Sequence, residues 1–252
     1  MTDIKTVQAK VARPIRCLAH PMRVAAGNIG FALSYWLFAD SYRFYRIQKR
    51  LFNAVFGCKT PIMEAPKHQS DAVVIQGFRH SGNSFVISNI VEADRGRLPM
   101  AWHRVWIMKV AIKKSLPIIV LIRQPRDVVA STVYRTSTRK DDPYAPFLIF
   151  PWAALLAWIG YYSWIKRFRH SVVIVPLDLV ERDYQYCRQV VAERSGLRMN
   201  DSPSWKHRNQ YGGDRWDLQL SPLSRMLLRK AETIYYLLLD MPSDARTDAC
   251  TL

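Results

Sequence analysis

The chain has 252 residues, of which 49% are hydrophobic and 12% aromatic, so it can fold around a sizeable core. It carries 37 Lys and Arg against 20 Asp and Glu, a formal net charge of +17. This composition excludes a largely disordered chain and favours an anionic partner such as a nucleotide, a nucleic acid, an acidic glycan or an anionic membrane surface. The cysteines have no metal-ligand spacing, so we expect free thiols, a reducing compartment and no metal site.

The first 65 residues are predicted to form a basic, partly helical extension that precedes the main domain at 66–252. Residues 1–60 hold ten Lys or Arg but only two acidic residues, and no cleavable signal is visible. The uncharged stretch 24–39 is short for a spanning helix, which needs about 20 residues. Apolar residues then recur at helical spacing across 41–56, with basic residues on the other faces. This amphipathic helix either packs on the domain or lies on an anionic bilayer.

Short apolar runs rich in Val and Ile alternate with helical stretches after residue 70. The runs at 71–78, 117–123 and 171–179 are predicted to be buried strands. Helices are predicted from about Gly82, from Arg126 and near Glu181. Strands that alternate with helices indicate an α/β fold with a parallel sheet. Ligands of such sheets bind at the carboxyl ends of the strands, so we expect the functional residues just after each strand.

A second uncharged segment spans residues 143–165 and is rich in aromatic residues. Prolines interrupt its first half, which leaves about 14 uninterrupted residues from Trp152, too few to cross a bilayer. We therefore expect either a buried core helix or a helix that faces a membrane surface. Its tryptophans and tyrosines suit both environments.

The turn after the first predicted strand resembles a phosphate-binding loop. It contains GxxxxG from Gly77 to Gly82, between a strand and a helix, and such a turn directs backbone N–H groups and the helix dipole at one anion. The lysine that ATP- and GTP-binding loops carry after the second glycine is replaced by Asn83. Cationic side chains lie inside the loop instead, at Arg79 and His80.

The second predicted strand leads into a similar turn. Arg123 stands at its end, a helix starts near Arg126, and Asp127 lies in the first helical turn. Ser131 is one turn further along the same side. Arg123 and Ser131 could both reach a second anionic group, although a capped helix with a surface arginine explains this loop equally well.

Together the two loops resemble those of the sulfotransferases that use 3′-phosphoadenosine 5′-phosphosulfate (PAPS). The first loop of that family reads roughly P-[KR]-[ST]-G-[TS]-[TS]-[WFL], and the second motif reads R-[DN]-P-x-D-x-x-x-S. The matching residues here are Arg79, His80, Ser81, Gly82, Asn83, Ser84 and Phe85, followed by Arg123, Gln124, Pro125, Arg126, Asp127 and Ser131. The resemblance covers about half the chain and implies a P-loop NTPase-like sulfotransferase fold, a three-layer α/β architecture. It also implies that the first loop, with Gly77, holds the 5′-phosphosulfate, and that Arg123 and Ser131 hold the 3′-phosphate.

The same resemblance implies roles for two further residues. His103 stands 20 residues before Arg123, where the family often has its catalytic base. Arg208 begins a stretch loosely similar to the late loop that covers the nucleotide. Two positions depart from the family pattern, because His80 stands where Lys or Arg is usual and Leu177 stands where glutamate is common. His80 would then assist the leaving oxygen, or else mark a weakened enzyme.

The sequence therefore predicts a PAPS-dependent sulfotransferase that acts on a hydroxyl of a glycan or lipid-linked acceptor, without a metal. Catalysis is assigned to His103 and His80. Two alternatives remain: a nucleotide-dependent kinase or ATPase, and a non-catalytic basic protein that docks on membranes. We expect a cytoplasmic location, with peripheral contact with the inner face of a membrane as an option, and no nucleic-acid partner because no such motif is visible.

Overall fold

The computed structural model describes most of the α/β region and parts of the chain before it. The described residues are 20–36, 43, 46, 47, 49, 50, 53, 73–79, 81–93, 99–102, 105–138, 148–203 and 220–239.

Eight α-helices and six strands have both of their ends within these residues. In chain order they are α1 (His20–Leu33), β1 (Val73–Gly77), α2 (Asn83–Ser88), β2 (Ile90–Ala93), β3 (Pro99–Trp102), α3 (Val105–Lys113), β4 (Ile118–Ile122), α4 (Pro125–Thr138), α5 (Pro151–Arg167), β5 (Val173–Pro176), α6 (Leu177–Arg182), α7 (Tyr184–Ser195), β6 (Leu197–Met199) and α8 (Pro222–Leu239). A short 3₁₀ turn, Arg169–Ser171, connects α5 to β5.

Four strands form a parallel sheet in the order β3-β1-β4-β5. Strand β1 lies in the middle, pairing with β3 on one side and with β4 on the other. Gly77, the last residue of β1, is in register with Leu121, near the end of β4. All four carboxyl ends therefore lie along one edge, which is where ligands bind in sheets of this type. Strands β2 and β6 form a separate antiparallel pair.

Helices cover both faces of the parallel sheet. Successive strand residues point to opposite faces, so Val74 joins one hydrophobic cluster while Val73 and Ile75 join another. The first cluster contains residues of α1, α3, α4, α5 and α8, and the second contains residues of α2, α6 and α7. Both faces of the sheet are covered by helices and excluded from solvent. This explains why the strand sequences are continuous apolar runs and do not alternate between apolar and polar residues.

The predicted mixture of helices with a parallel sheet is confirmed. All three predicted strands are present, but the third ends at Pro176 and not at residue 179, because α6 begins at Leu177. Helices follow each strand, and the third helical region is split into α6 and α7. Asp183 separates these two, and its carboxylate accepts a hydrogen bond from the backbone N–H of Tyr186 at 2.9 Å, which caps the start of α7. The division at residue 65 stays a prediction.

The aromatic segment forms α5, and it belongs to the core rather than to the surface. Trp158, Tyr161 and Tyr162 are fully buried, under α1, α3, α4 and α8. Of the predicted amphipathic helix, residues 43, 46, 47, 49, 50 and 53 are described and are helical, and its other positions lie outside the described residues. No helix in the described part of the chain is long and apolar enough to cross a membrane.

Candidate functional site

The loop after β1 is a tight turn whose glycines are required by the backbone. The N–H of Ser81 donates to the carbonyl of Phe78 at 3.1 Å, which closes the turn. Gly82 has φ 88°, a left-handed conformation that favours glycine, and a Cβ there would overlap the side chain of Leu177. At Gly77 a Cβ would overlap the Asn83 side chain and approach the Leu121 carbonyl oxygen to 2.9 Å. Neither Gly77 nor Gly82 can therefore carry a side chain without a change in this turn.

Asn83 lies inside this turn. Its side chain is only 4% exposed, and its amide nitrogen is 3.5 Å from the carbonyl oxygen of Gly77. Asn83, which stands where ATP- and GTP-binding loops have a lysine, therefore directs its side chain at the backbone of its own loop. Ser84, by contrast, is exposed, and Arg79 is half-buried.

Tyr162 of α5 lies beneath the loop and connects it to the neighbouring strand. Its hydroxyl donates to the carbonyl of Leu121 at 2.8 Å and accepts from the N–H of Phe78 at 3.3 Å. The same oxygen is 3.3 Å from the hydroxyl of Ser81, which is 1% exposed. Burial raises the pKa of Tyr162 above its usual range, so the phenol stays protonated and keeps its donor. Sequence reasoning missed this residue because an aromatic run far along the chain does not show which loop it will reach.

Arg123 follows β4 directly at the same sheet edge, and Ser131 lies further along the chain, within α4. Both are nearly buried, at 5% and 4% exposure. The Nε of Arg123 is 3.7 Å from a carboxylate oxygen of Asp127, one turn into α4. This ion pair fixes the guanidinium at the start of α4, where the helix dipole also favours an anion. Since Gly77 and Leu121 are in register, the turn after β4 and the glycine-rich loop are neighbours.

The end of β5 adds a carboxylate that the sequence did not single out as functional. Asp178 follows directly after Leu177, and the hydroxyl of Tyr235, on α8, donates to its carboxylate at 3.2 Å. Burial, and then the nearby Asp178 carboxylate, raise the pKa of Tyr235 above its usual range, so it remains a donor. The side chain of Leu177 fills the space beside Gly82. This packing explains why an apolar residue stands at position 177, where glutamate is common in the family.

Three predicted site residues, His80, His103 and Arg208, lie outside the described residues. The structure brings together Gly77, Ser81, Gly82 and Asn83 in one turn, with Arg123 at the end of the adjacent strand and Ser131 in the helix that follows it. Among the described residues no cluster of three or more His, Cys, Asp or Glu side chains could hold a metal ion. Cys187 is a free, buried thiol whose burial raises its pKa to about 12.

No family model matches the sequence, and no curated protein matches it. Among solved structures, the chain is similar to mouse sulfotransferase SULT7A1 complexed with PAP, at 13% identity and a TM-score of 0.47. That similarity covers 71% of this chain and 87% of the mouse chain. A likeness at this level shows no activity for this chain.

Proposed function

We propose that this protein is a PAPS-dependent sulfotransferase that moves a sulfuryl group to a hydroxyl. One observation carries the proposal: the Gly77–Ser84 turn follows β1, and Arg123 follows the neighbouring strand β4, with Ser131 further along in α4. We infer that each of these two sets of groups binds an anion. A ligand with two separate anionic groups matches two such sets. PAPS has both a 5′-phosphosulfate and a 3′-phosphate, which the sequence resemblance assigns to these two loops.

The position of Asn83 supports a phosphosulfate over ATP. In ATP-binding loops the lysine at this place reaches the outer phosphates. Asn83 cannot supply that charge, and its amide is directed at the Gly77 carbonyl. The cation available within the described part of the loop is Arg79, which precedes Ser81 and Gly82.

In the proposed reaction the acceptor oxygen attacks sulfur, the new O–S bond forms, and the bond from sulfur to the bridging oxygen of the 5′-phosphate breaks. The bridging oxygen gains negative charge as adenosine 3′,5′-bisphosphate leaves, and Arg79 and His80 stabilise that charge. His103 takes the proton of the acceptor hydroxyl as general base. His103 is the next residue in the chain after β3, which pairs with β1, and this connectivity supports a role beside the glycine-rich loop. By the sequence resemblance, Arg208 covers the nucleotide. The acceptor is a glycan or lipid-linked hydroxyl, because the basic amphipathic stretch near the amino terminus favours an acceptor close to a membrane.

The first test is a thermal-shift comparison of adenosine 3′,5′-bisphosphate with ATP. At a concentration of about 100 times Kd, a ligand stabilises the folded state by about 2.7 kcal/mol. In a chain of this size that raises Tm by roughly 5–10 °C. We expect this shift with the bisphosphate and a smaller one with ATP. A larger shift with ATP, accompanied by magnesium-dependent ATP hydrolysis, would instead support the kinase or ATPase alternative.

The second test separates the phosphate-binding arginine from general charge. Arg123→Ala removes a nearly buried guanidinium, whereas Arg225→Ala removes an exposed one on α8. A hydrogen bond to a charged group is worth roughly 1.5–3 kcal/mol, so the bisphosphate Kd should rise about tenfold to a hundredfold in the first variant. It should hardly change in the second. Equal affinity in both variants would remove Arg123 from the site.

The third test addresses chemistry, using PAPS labelled in its sulfuryl group and a panel of hydroxyl acceptors. His103→Ala should abolish transfer and leave bisphosphate binding nearly intact, because a general base is needed for the proton and not for the nucleotide. Retained transfer would exclude His103 as the base. Lack of both bisphosphate binding and transfer in the unmodified protein would refute the enzyme proposal.

A further inference from the structure

The outer face of α1 is an apolar stripe that no described element covers. Met22, Ile29, Leu33 and Trp36 are exposed by 56%, 51%, 42% and 40%. Their spacings of seven, four and three residues place them on one side of the helix and the turn that follows it. Exposed single apolar residues are ordinary, but a row of four on one helix face calls for a partner.

The contacts of α1 with the core keep this stripe facing outward. The buried side chain of Asn28 donates to the Leu148 carbonyl at 2.7 Å and accepts from the Phe150 N–H at 2.6 Å. At the other end, the indole N–H of Trp36 donates to the Leu156 carbonyl at 2.8 Å. Helix α1 therefore runs beside α5 in the same direction and cannot rotate to bury its outer face.

The stripe continues onto the residues that lead into α5. Leu148 and Phe150 are exposed by 43% and 39%, and the bonds of Asn28 hold them beside α1. We call these six residues, Met22, Ile29, Leu33, Trp36, Leu148 and Phe150, the apolar face.

Among the described residues, α1 and the positions that follow it up to residue 53 carry no acidic side chain. Arg23 lies on α1 itself, and Arg43, Arg46, Lys49 and Arg50 follow α1 in the sequence. Residues 148–150 are uncharged. An apolar helix face in a segment whose described charges are all basic is complementary to an anionic lipid surface, into which apolar side chains enter while basic residues face the headgroups.

We propose that the apolar face docks this protein on an anionic phospholipid bilayer. With 14 residues, α1 is about 21 Å long, shorter than the roughly 30 Å of a hydrocarbon core. It therefore lies along the interface and does not cross it. The docking surface is α1 with residues 148 and 150, and not the aromatic side chains of α5, which are buried. The proposal is independent of the proposed sulfuryl transfer.

Cosedimentation of the full chain with vesicles tests the proposal. We expect binding to vesicles of phosphatidylcholine mixed with phosphatidylserine, much weaker binding to phosphatidylcholine alone, and loss of binding as salt increases. Ile29→Ser/Leu33→Ser removes two half-exposed side chains from the centre of the face and should weaken binding about tenfold. No binding to the anionic vesicles would overturn the proposal.

The matched control is Leu223→Ser/Met226→Ser on α8, where the same number of apolar side chains is exposed by 49% and 60%. This variant should bind vesicles like the unmodified protein. An equal loss in both variants would show that binding does not depend on the apolar face. If the α1 double variant fails to fold, Met22→Ser in the first turn of α1 should still weaken binding a few-fold, and unchanged binding would refute the proposal. A dimer in sedimentation velocity that Ile29→Ser/Leu33→Ser dissociates would assign the face to a second copy of the chain instead.

Discussion

Tyr162 provides the sharpest test of how the glycine-rich loop is held. Tyr162→Phe removes one oxygen that bonds the Leu121 carbonyl, the Phe78 N–H and the Ser81 hydroxyl. Loss of one partner from a buried polar pair costs about 1–3 kcal/mol. Because the substitution removes one short and two longer hydrogen bonds, we expect a decrease of about 2–3 kcal/mol in the free energy of unfolding. For a chain of this size that lowers Tm by roughly 4–12 °C.

Tyr161→Phe is the control for this substitution. Tyr161 is equally buried on the same helix, but its hydroxyl donates to the Gln76 side chain at 2.9 Å and not to the loop. Chemical denaturation gives the stability of each variant, and titration with adenosine 3′,5′-bisphosphate gives its Kd. Both variants should lose stability, but only Tyr162→Phe should also raise Kd, because only it releases the Gly77–Ser84 turn. An unchanged Kd in Tyr162→Phe would refute the assignment of Tyr162 as the anchor of the loop.

Two further substitutions test the loop backbone and a carboxylate near the site. Gly82→Ala should lower stability by at least about 2 kcal/mol and abolish bisphosphate binding, since it combines a left-handed backbone with an overlap at Leu177. The control is Gly196→Ala, at φ 67° on the end of α7, which should lower stability without changing bisphosphate binding. Normal bisphosphate affinity in Gly82→Ala would contradict this account. Burial raises the pKa of Glu232, although two nearby arginines, Arg126 and Arg229, oppose this shift. The charged carboxylate is therefore disfavoured in the folded state, and it destabilises the fold at pH values above the carboxyl pKa. Glu232→Gln should therefore raise Tm at pH 7 and not at about pH 4, where the native carboxyl is protonated; a lower Tm at pH 7 would show that the arginines dominate.

The parallel sheet could be predicted from sequence because local pattern determines it. Runs such as 117–123 are too short for helices, are rich in β-branched residues and are flanked by turn residues. The tendency of ligands to bind at the carboxyl ends of parallel strands then predicts Gly77 and Arg123 at one edge. Strand β3 and helix α8 were missed, since β3 has only four residues, Pro99–Trp102, without a β-branched run, and α8 follows a long stretch in which no strand marks the sheet.

The supporting contacts of the site could not be predicted for a different reason. Tyr162 lies 81 residues after Ser81 in the chain, and Tyr235 lies 57 residues after Asp178. Nothing local in either segment encodes which loop the hydroxyl will meet, because that depends on how α5 and α8 pack on the sheet. Composition left α5 open between a core helix and a membrane-facing one, and only its packing under four other helices resolves the choice.

Helix α5 connects the site to the proposed docking surface. One side of it carries Tyr162 beneath the glycine-rich loop, while Leu156 and Gly160, less than two turns away, meet Trp36. A Cβ at Gly160 would approach the Trp36 ring to 2.8 Å, so the two helices are in direct contact there. Close-packed elements of this kind move together. A bilayer bound at α1 would therefore hold the sheet edge, and with it the Gly77–Ser84 turn, in a fixed orientation to the membrane surface. Because Ile29 and Leu33 point away from α5, their substitution should change vesicle binding without changing the bisphosphate Kd, whereas Tyr162→Phe should do the reverse.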